Sequence, residues 1–365
     1  MSIEDDILKA QHLVEARSNA LAADLVEALE SSRAQVVGKL AELQARYLTG
    51  APWETESYAR RKVFLEAQRA EIDRLIGEVY ASMARPILEA TEDTMSFTTA
   101  ATTRSLASMA PPGLTIGEGA ALLALSTVAA WSEVHTIDGM VLSEWLATMS
   151  KTTTNRIVAA GREAMILGLS VPNTARLLRQ KGIEGGVQSL ESLARTYLLS
   201  ASNYANEQVF ERNKDVIGKL RYTSVLDGRT CPICGNDDGK TFSMDEPRPS
   251  LPRHINCRCL YLPVTDWEKI GVPELAQDDT ERPAVKHDSR TVHHRDGTTS
   301  TRFKVADVEH TGENYNAWIT RQLKEDPAFV RRVLGKTRFE LFESGQFTLD
   351  KMVVDGRIRR LGELR

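Results

Sequence analysis

All four cysteines of this chain lie between positions 231 and 259, and one histidine stands among them. They form two short clusters, Cys231-Pro-Ile-Cys234 and His254-Ile-Asn-Cys257-Arg-Cys259, separated by 19 residues. A Cys-x-x-Cys turn aims two thiolates at one point, and His-x-x-Cys-x-Cys supplies the rest of a tetrahedron. Zinc takes four such nitrogen and sulfur donors, and a closed set of four is structural rather than catalytic. There are five donors for four places. Cys231, Cys234, His254 and Cys257 are the preferred set, with Cys259 competing for the fourth position. Cys257 and Cys259 are two apart, so on a regular strand both would face one side. The competing reading is two disulfides. It fits poorly with the absence of a secretory signal pattern, since thiols stay reduced inside cells.

A chain of 365 residues is long enough for two or three domains. Its 42% hydrophobic and 26% charged content is that of a soluble protein. Aromatic content of 6% favours helices packed through Leu, Ala and Ile. A net charge of −4 gives no global basic field of the kind that marks a nucleic-acid binder. The start, Met1-Ser-Ile-Glu-Asp-Asp6, is acidic and lacks the basic head of a signal peptide. The most apolar run, Ala120 to Trp131, is shorter than the ~20 residues a membrane span needs. A soluble product with no membrane partner is expected.

Residues 3 to about 48 read as one long helix, with Ile7, Val14, Leu21, Leu25, Leu29, Val36, Leu40, Leu43 and Tyr47 on one face. Gly50-Ala-Pro52 ends it. A second helix runs from about 56 to 85, with Ile72, Leu75, Ile76, Val79 and Met83 aligned, and Pro86 kinks or stops it. A third amphipathic stretch reaches Met109, before the break Pro111-Pro-Gly113. An intramolecular bundle is the expected arrangement, with a coiled coil to partners as the alternative. Further helices are expected at 117–134, 142–169, 171–180 and 187–213, the last opening after Gly185-Gly186. The texture then changes. Lys219 to Val225 alternates as a strand does, and Cys259 to Val264 reads as another. Asn236-Asp-Asp-Gly239 is a turn signal between them. Residues 267–288 read as a polar linker, and His293-His-Arg-Asp-Gly297 as a turn before a strand at 301–305. Short helices follow at 315–323, 326–334 and 337–344, and the end from Lys351 to Arg365 is basic. The expected class is therefore α+β. A long helical N-terminal half (1–140) precedes a mixed α/β region with the zinc knuckle (141–266), then a linker and small α+β C-terminal region (267–365).

No catalytic set emerges. Glu246 is the only glutamate between the cysteine pairs, and no His-x-Glu pair precedes them, so the zinc deaminase pattern fails. There is no phosphate-binding loop and no nucleophile elbow. His12 and His135 read as surface or packing residues, and Arg195-Thr196 as structural. The enzymatic rival is a zinc-containing His-Asn-His-type nuclease using His293, His294 and Asp296 at the exposed turn. A DNA-binding zinc module is disfavoured by the net charge.

Three segments together resemble a known family. Asp227-Gly-Arg-Thr-Cys-Pro-Ile-Cys234, Gly239-Lys-Thr-Phe242 and Pro252-Arg-His-Ile-Asn-Cys-Arg-Cys259 are similar to the signature of the phage Mu F-like head morphogenesis proteins, the minor capsid proteins of tailed phages. Ile255 stands where the family pattern has proline. The helical stretches Gly168-Leu-Ser170, Ala175 to Leu178 and Leu193 to Ala205, and the tail segments Tyr315 to Trp318, Val333 to Arg338 and Leu341 to Gly345, extend the resemblance to about 165–345. It implies a non-enzymatic minor head protein within the virion, assembled in the host cytoplasm. The implied partners are the portal protein and capsid or scaffold proteins. It also implies a role in procapsid assembly, with DNA packaging or ejection as an extension and packaged DNA as a further partner. Some members carry a C-terminal toxin domain, for which the residues after Gln346 are too few.

Overall fold

The computed structural model describes residues 3–47, 56–108, 125–268, 271, 281–293, 299–346, 348–354, 356–360 and 363. The expected breaks at 50–52 and 111–113 lie outside these residues, as do His294 and Asp296.

The helical half begins with α1 (Ile3–Tyr47). Its periodic apolar residues from Ile7 to Leu43 are buried, so the stripe legible in the sequence is the face that packs. It lies against α2 (Tyr58–Ser82), α3 (Ala84–Ser108) and α7 (Glu184–Arg212), an intramolecular bundle. The boundary between α2 and α3 falls at Met83, upstream of Pro86 rather than at it. A proline has no N–H for the carbonyl four residues back and its ring collides with that carbonyl. Ser82 is that residue, and α2 ends there. The next helices are α4 (Leu125–Val134) and α5 (Leu142–Ile166). Of the apolar run 120–131, only the part within α4 is described.

The sequence suggests a helix start after Gly185-Gly186, but the structure shows otherwise. α6 (Val171–Leu177) passes through a π-helical turn (Leu178–Ile183) directly into α7, so both glycines lie inside a continuous helix. They are there for close approach, not for termination. A Cβ on Gly186 would stand 3.0 Å from Leu29 and 3.1 Å from the Thr153 and Tyr80 oxygens. One on Gly185 would overlap the Arg156 guanidinium at 2.1 Å.

After α7 comes a small antiparallel sheet in the order β2-β1-β3, built from β1 (Ile217–Thr223), β2 (Thr241–Ser243) and β3 (Leu260–Thr265). The segment between β1 and β2 is not all loop, because α8 (Pro232–Asp237) occupies it. Leu220, Tyr222, Leu260 and Leu262 of the sheet share a core with Val209 and Phe210 of α7 and with Ile7 and Leu8 of α1.

Of the expected linker 267–288, residues 269, 270 and 272–280 lie outside the described residues, and its last part needs correction. Arg282–His293 forms β4, which pairs in antiparallel register with β5 (Thr299–Thr311). Polar composition and Pro283 hide this strand from a reading of periodicity. Four short helices follow, α9 (Tyr315–Glu325), α10 (Pro327–Leu334), α11 (Lys336–Glu343) and α12 (Leu349–Met352). A minimal hairpin, β6 (Val353–Val354) with β7 (Arg357–Ile358), follows them. This region has its own core around Trp318, Phe329, Phe339 and Met352, and Leu226 from the stretch after β1 is part of it. The observed class is α+β, with long N-terminal helices and no extended parallel sheet among the described residues.

Candidate metal centre

The five sulfur and imidazole donors converge. Cys231 is the N-cap of α8, with Pro232 in its first turn, and its Sγ accepts from the Cys234 amide at 3.4 Å. That single turn of helix gives the Cys-x-x-Cys pair its geometry. His254 Nε2 lies 3.2 Å from Cys231 Sγ and 3.2 Å from Cys234 Sγ. Its Nδ1 faces the Ile255 carbonyl at 2.8 Å. A proton on Nδ1 satisfies that carbonyl, the usual outer-shell device at metal-binding histidines. Cys257 and Cys259 lie just before β3, and with Cys234 they make a second triad. Within each triad the donor atoms are no more than 4.8 Å apart. Cys234 belongs to both. All four cysteines are unpaired, so the disulfide reading is not the one the structure shows.

Charge in this cluster is strongly coupled. Hydrogen bonding from Cys234, helped by His254, lowers the Cys231 thiol to about 4. Bonds from Cys234 and Cys259 hold Cys257 low as well. The shared proton then stays on Cys234, whose thiol is pushed up by Cys231, Cys257 and Cys259. The bond to Cys231 raises the His254 imidazole to about 9.

The Tyr222 hydroxyl is buried beside the cluster, where burial pushes it up and Cys259, Cys234 and Cys257 push it further. The cavity bounded by Cys231, Cys234, His254, Cys259, Arg229 and Arg258 is about 10 Å³, on the scale of a single small particle. It leaves no room for a substrate. These donors are of the type and spacing that hold a metal ion, which when bound would supply cross-linking and charge neutralisation.

The loop that carries these donors is held by residues the sequence did not single out. Asp227 and Arg258 form a buried bidentate pair, with Arg258 Nη2 donating to Oδ1 at 2.6 Å and Nη1 to Oδ2 at 2.8 Å. Burial pushes the Asp227 carboxyl up, but Arg258, with Arg229, outweighs it and holds the group below the usual carboxylate range. Asp237 receives Lys240 at 2.6 Å and also Arg253, next to His254. Asn256 sits at φ 62, a left-handed conformation that asparagine tolerates better than most residues. Its amide donates to Thr196 Oγ1 at 2.8 Å, and its side chain accepts from Arg195 at 3.0 Å. Arg195 also reaches Asn19 of α1 at 3.2 Å. Arg195-Thr196 is thus structural, as the sequence suggests. Ile255, where the family pattern has proline, packs its side chain on the helical core.

Asp238 joins this unit to the C-terminal region. It accepts from the Ser224 amide at 2.7 Å, from the Tyr315 amide at 2.6 Å and from Arg282 of β4. The sequence signal for Asp227, Asp238 and Arg258 was their place inside or beside the Cys/His segments. Nothing local named their partners. Glu246, the one glutamate between the cysteine pairs, is exposed and caps the Ser243 amide at 3.0 Å. His12 is exposed, and His135 stacks on Trp131 with ring centroids 4.2 Å apart. Both agree with the surface or packing reading. His293 ends β4 opposite Thr299.

No helix among the described residues is long and apolar enough to cross a membrane. No curated protein and no solved structure matches the chain. Residues 155–262 match the family described as Phage Mu protein F like protein. That span begins within α5 and ends in β3, so it takes in the π-helical turn, α7, β1, β2, the first half of β3 and all five donors. Over these residues, less than half of the chain, it is similar to the Phage Mu protein F like family.

Proposed function

We propose that the protein is a minor head protein of a tailed phage, built into the procapsid at or near the portal and carried in the virion. The observation that carries this reading is the family match over the helices and sheet that enclose the Cys/His cluster. The portal and capsid or scaffold proteins are the partners proposed, with packaged DNA as a further one during packaging or ejection. Its role is assembly rather than catalysis. The ion-sized cavity at the cluster and the placement of Glu246 away from it support that assignment. The cofactor proposed is one structural zinc, held by Cys231, Cys234 and His254 with Cys257 or Cys259 as the fourth ligand. It would pin the start of α8 to the entry of β3.

The test is composition of purified particles. Procapsids and virions of the parent phage should both contain the protein, and procapsids assembled without it should package DNA poorly. Its absence from both particles would overturn the assignment.

A further inference from the structure

A groove on the helical bundle, far along the chain from the cysteines, has the makings of a second recognition site. α2 and α5 run antiparallel, with Gln68 beside Gly161 and Tyr80 bonded to Thr153. The start of α2 therefore meets the end of α5. Between them lies an open groove of about 360 Å³ lined by Tyr58, Arg61, Lys62, Leu65, Glu66, Arg69 and Arg162. Four of those seven side chains are cationic and one is anionic, in a chain whose net charge is −4. Around Lys62, Arg69 and Arg162 the internal neutralisation is weak. Lys62 and Glu66 are 3.9 Å apart and both well exposed, a geometry worth little. Among the described residues Arg69 bonds the neutral Asn155 side chain, at 3.1 Å. Arg162 has no ion-pair partner among the described residues.

The same end of the bundle is apolar as well as basic. Six large hydrophobic side chains are exposed among the described residues, and four of them, Tyr58, Val63, Ile166 and Leu167, lie at the start of α2 or the end of α5. Tyr58 is 77% exposed and Ile166 62%. Phosphate backbones are recognised by charge along a track, with no demand for an aliphatic surface. A groove with a tyrosine and a leucine in it and arginines around it matches instead a peptide that brings apolar anchors and carboxylates together.

We propose that this groove docks an acidic amphipathic segment of another head protein, with aliphatic or aromatic anchors over Tyr58 and Leu65 and carboxylates against Lys62, Arg69 and Arg162. The location of the partner in the head rests on the proposed function. The recognition chemistry rests on the groove.

The experiment uses the full chain with a photo-crosslinking benzoylphenylalanine at position 58, expressed alongside the other head genes during procapsid assembly. Irradiation should yield an adduct that maps by mass spectrometry to an acid-rich segment of another head protein. Lys62→Glu with Arg162→Glu should reduce that adduct about tenfold, the effect of reversing two rim charges in a charge-steered contact. Lys62→Gln with Arg162→Gln should reduce it less. These side chains are exposed, so circular dichroism and Tm of the variants should match the parent. An adduct that is sensitive to DNase, an adduct only to a second copy of this chain, or an adduct indifferent to both pairs of substitutions overturns the proposal. If the protein is absent from procapsids yet still captures an acid-rich segment, the groove assignment stands and the head assignment falls. If it is present in procapsids without such an adduct, the reverse holds.

Discussion

Asp227 and Arg258 meet as a bidentate ion pair in which each side chain is 6% exposed, and each lies beside the cysteine clusters, before one and inside the other. Their pairing ties the loop ahead of α8 to the loop ahead of β3 independently of any metal. Removing either partner strands the other charge in the interior. Asp227→Ala and Arg258→Ala should therefore each cost roughly 3–5 kcal/mol. The double variant should cost clearly less than the two together, because the second substitution removes the stranded charge. Denaturant unfolding of the four proteins in a double-mutant cycle measures this.

The metal prediction turns on Cys234, the sulfur common to both triads. Purified protein should contain about one zinc per chain. Cys234→Ser should lose it, and of Cys257→Ser and Cys259→Ser only one should. Zinc must displace protons from its ligands, so its affinity should fall as pH drops from neutrality toward 5. Metal analysis after dialysis across that range tests both statements. A folded protein with no zinc at neutral pH would refute them.

Packing between the sheet unit and the C-terminal helices depends on two glycines. A Cβ on Gly235 would stand 2.3 Å from the Tyr315 ring, and one on Gly228 would stand 2.7 Å from the Phe329 ring. Both rings are buried, so neither can move aside freely. Gly235→Ala and Gly228→Ala should each destabilise by about 1–3 kcal/mol, read as a lower Tm. Gly139→Ala meets nothing within 4 Å but has φ 79, so any cost there reports backbone strain without overlap.

His135 should make stability fall in acid. Burial lowers its imidazole to about 4 from an ordinary value near 6.5, while Nε2 lies 2.5 Å from Ser200 Oγ. Between those two values the unfolded chain binds a proton that the folded chain does not. The contribution is complete above about 6.5 and is lost as pH falls toward 4. Allowing for its partial exposure, the loss should be on the order of 2 kcal/mol. His135→Gln should flatten the stability curve over that window, measured by urea midpoints at a series of pH values.

The sequence by itself determined the long first helix and the Cys/His centre, because both are written in local spacing. Apolar residues from Ile7 to Leu43 recur at the helical period, and any packed helix with that stripe must bury it. Two cysteines separated by two residues, beside a histidine, can converge through one turn of chain. The tertiary structure decided what local spacing does not encode. Asp227 acquires Arg258 from 31 positions away, and Asp238 acquires the Tyr315 amide from 77 positions away. An ion pair has no periodicity, so no sequence pattern announces its partner. Gly185 and Gly186 resemble a helix boundary in sequence and prove to be a close helix contact, because only the neighbouring helices supply Arg156, Leu29 and Tyr80. β4 reads as linker because its hydrogen-bonding partner is a strand that follows it, and local composition does not announce that pairing.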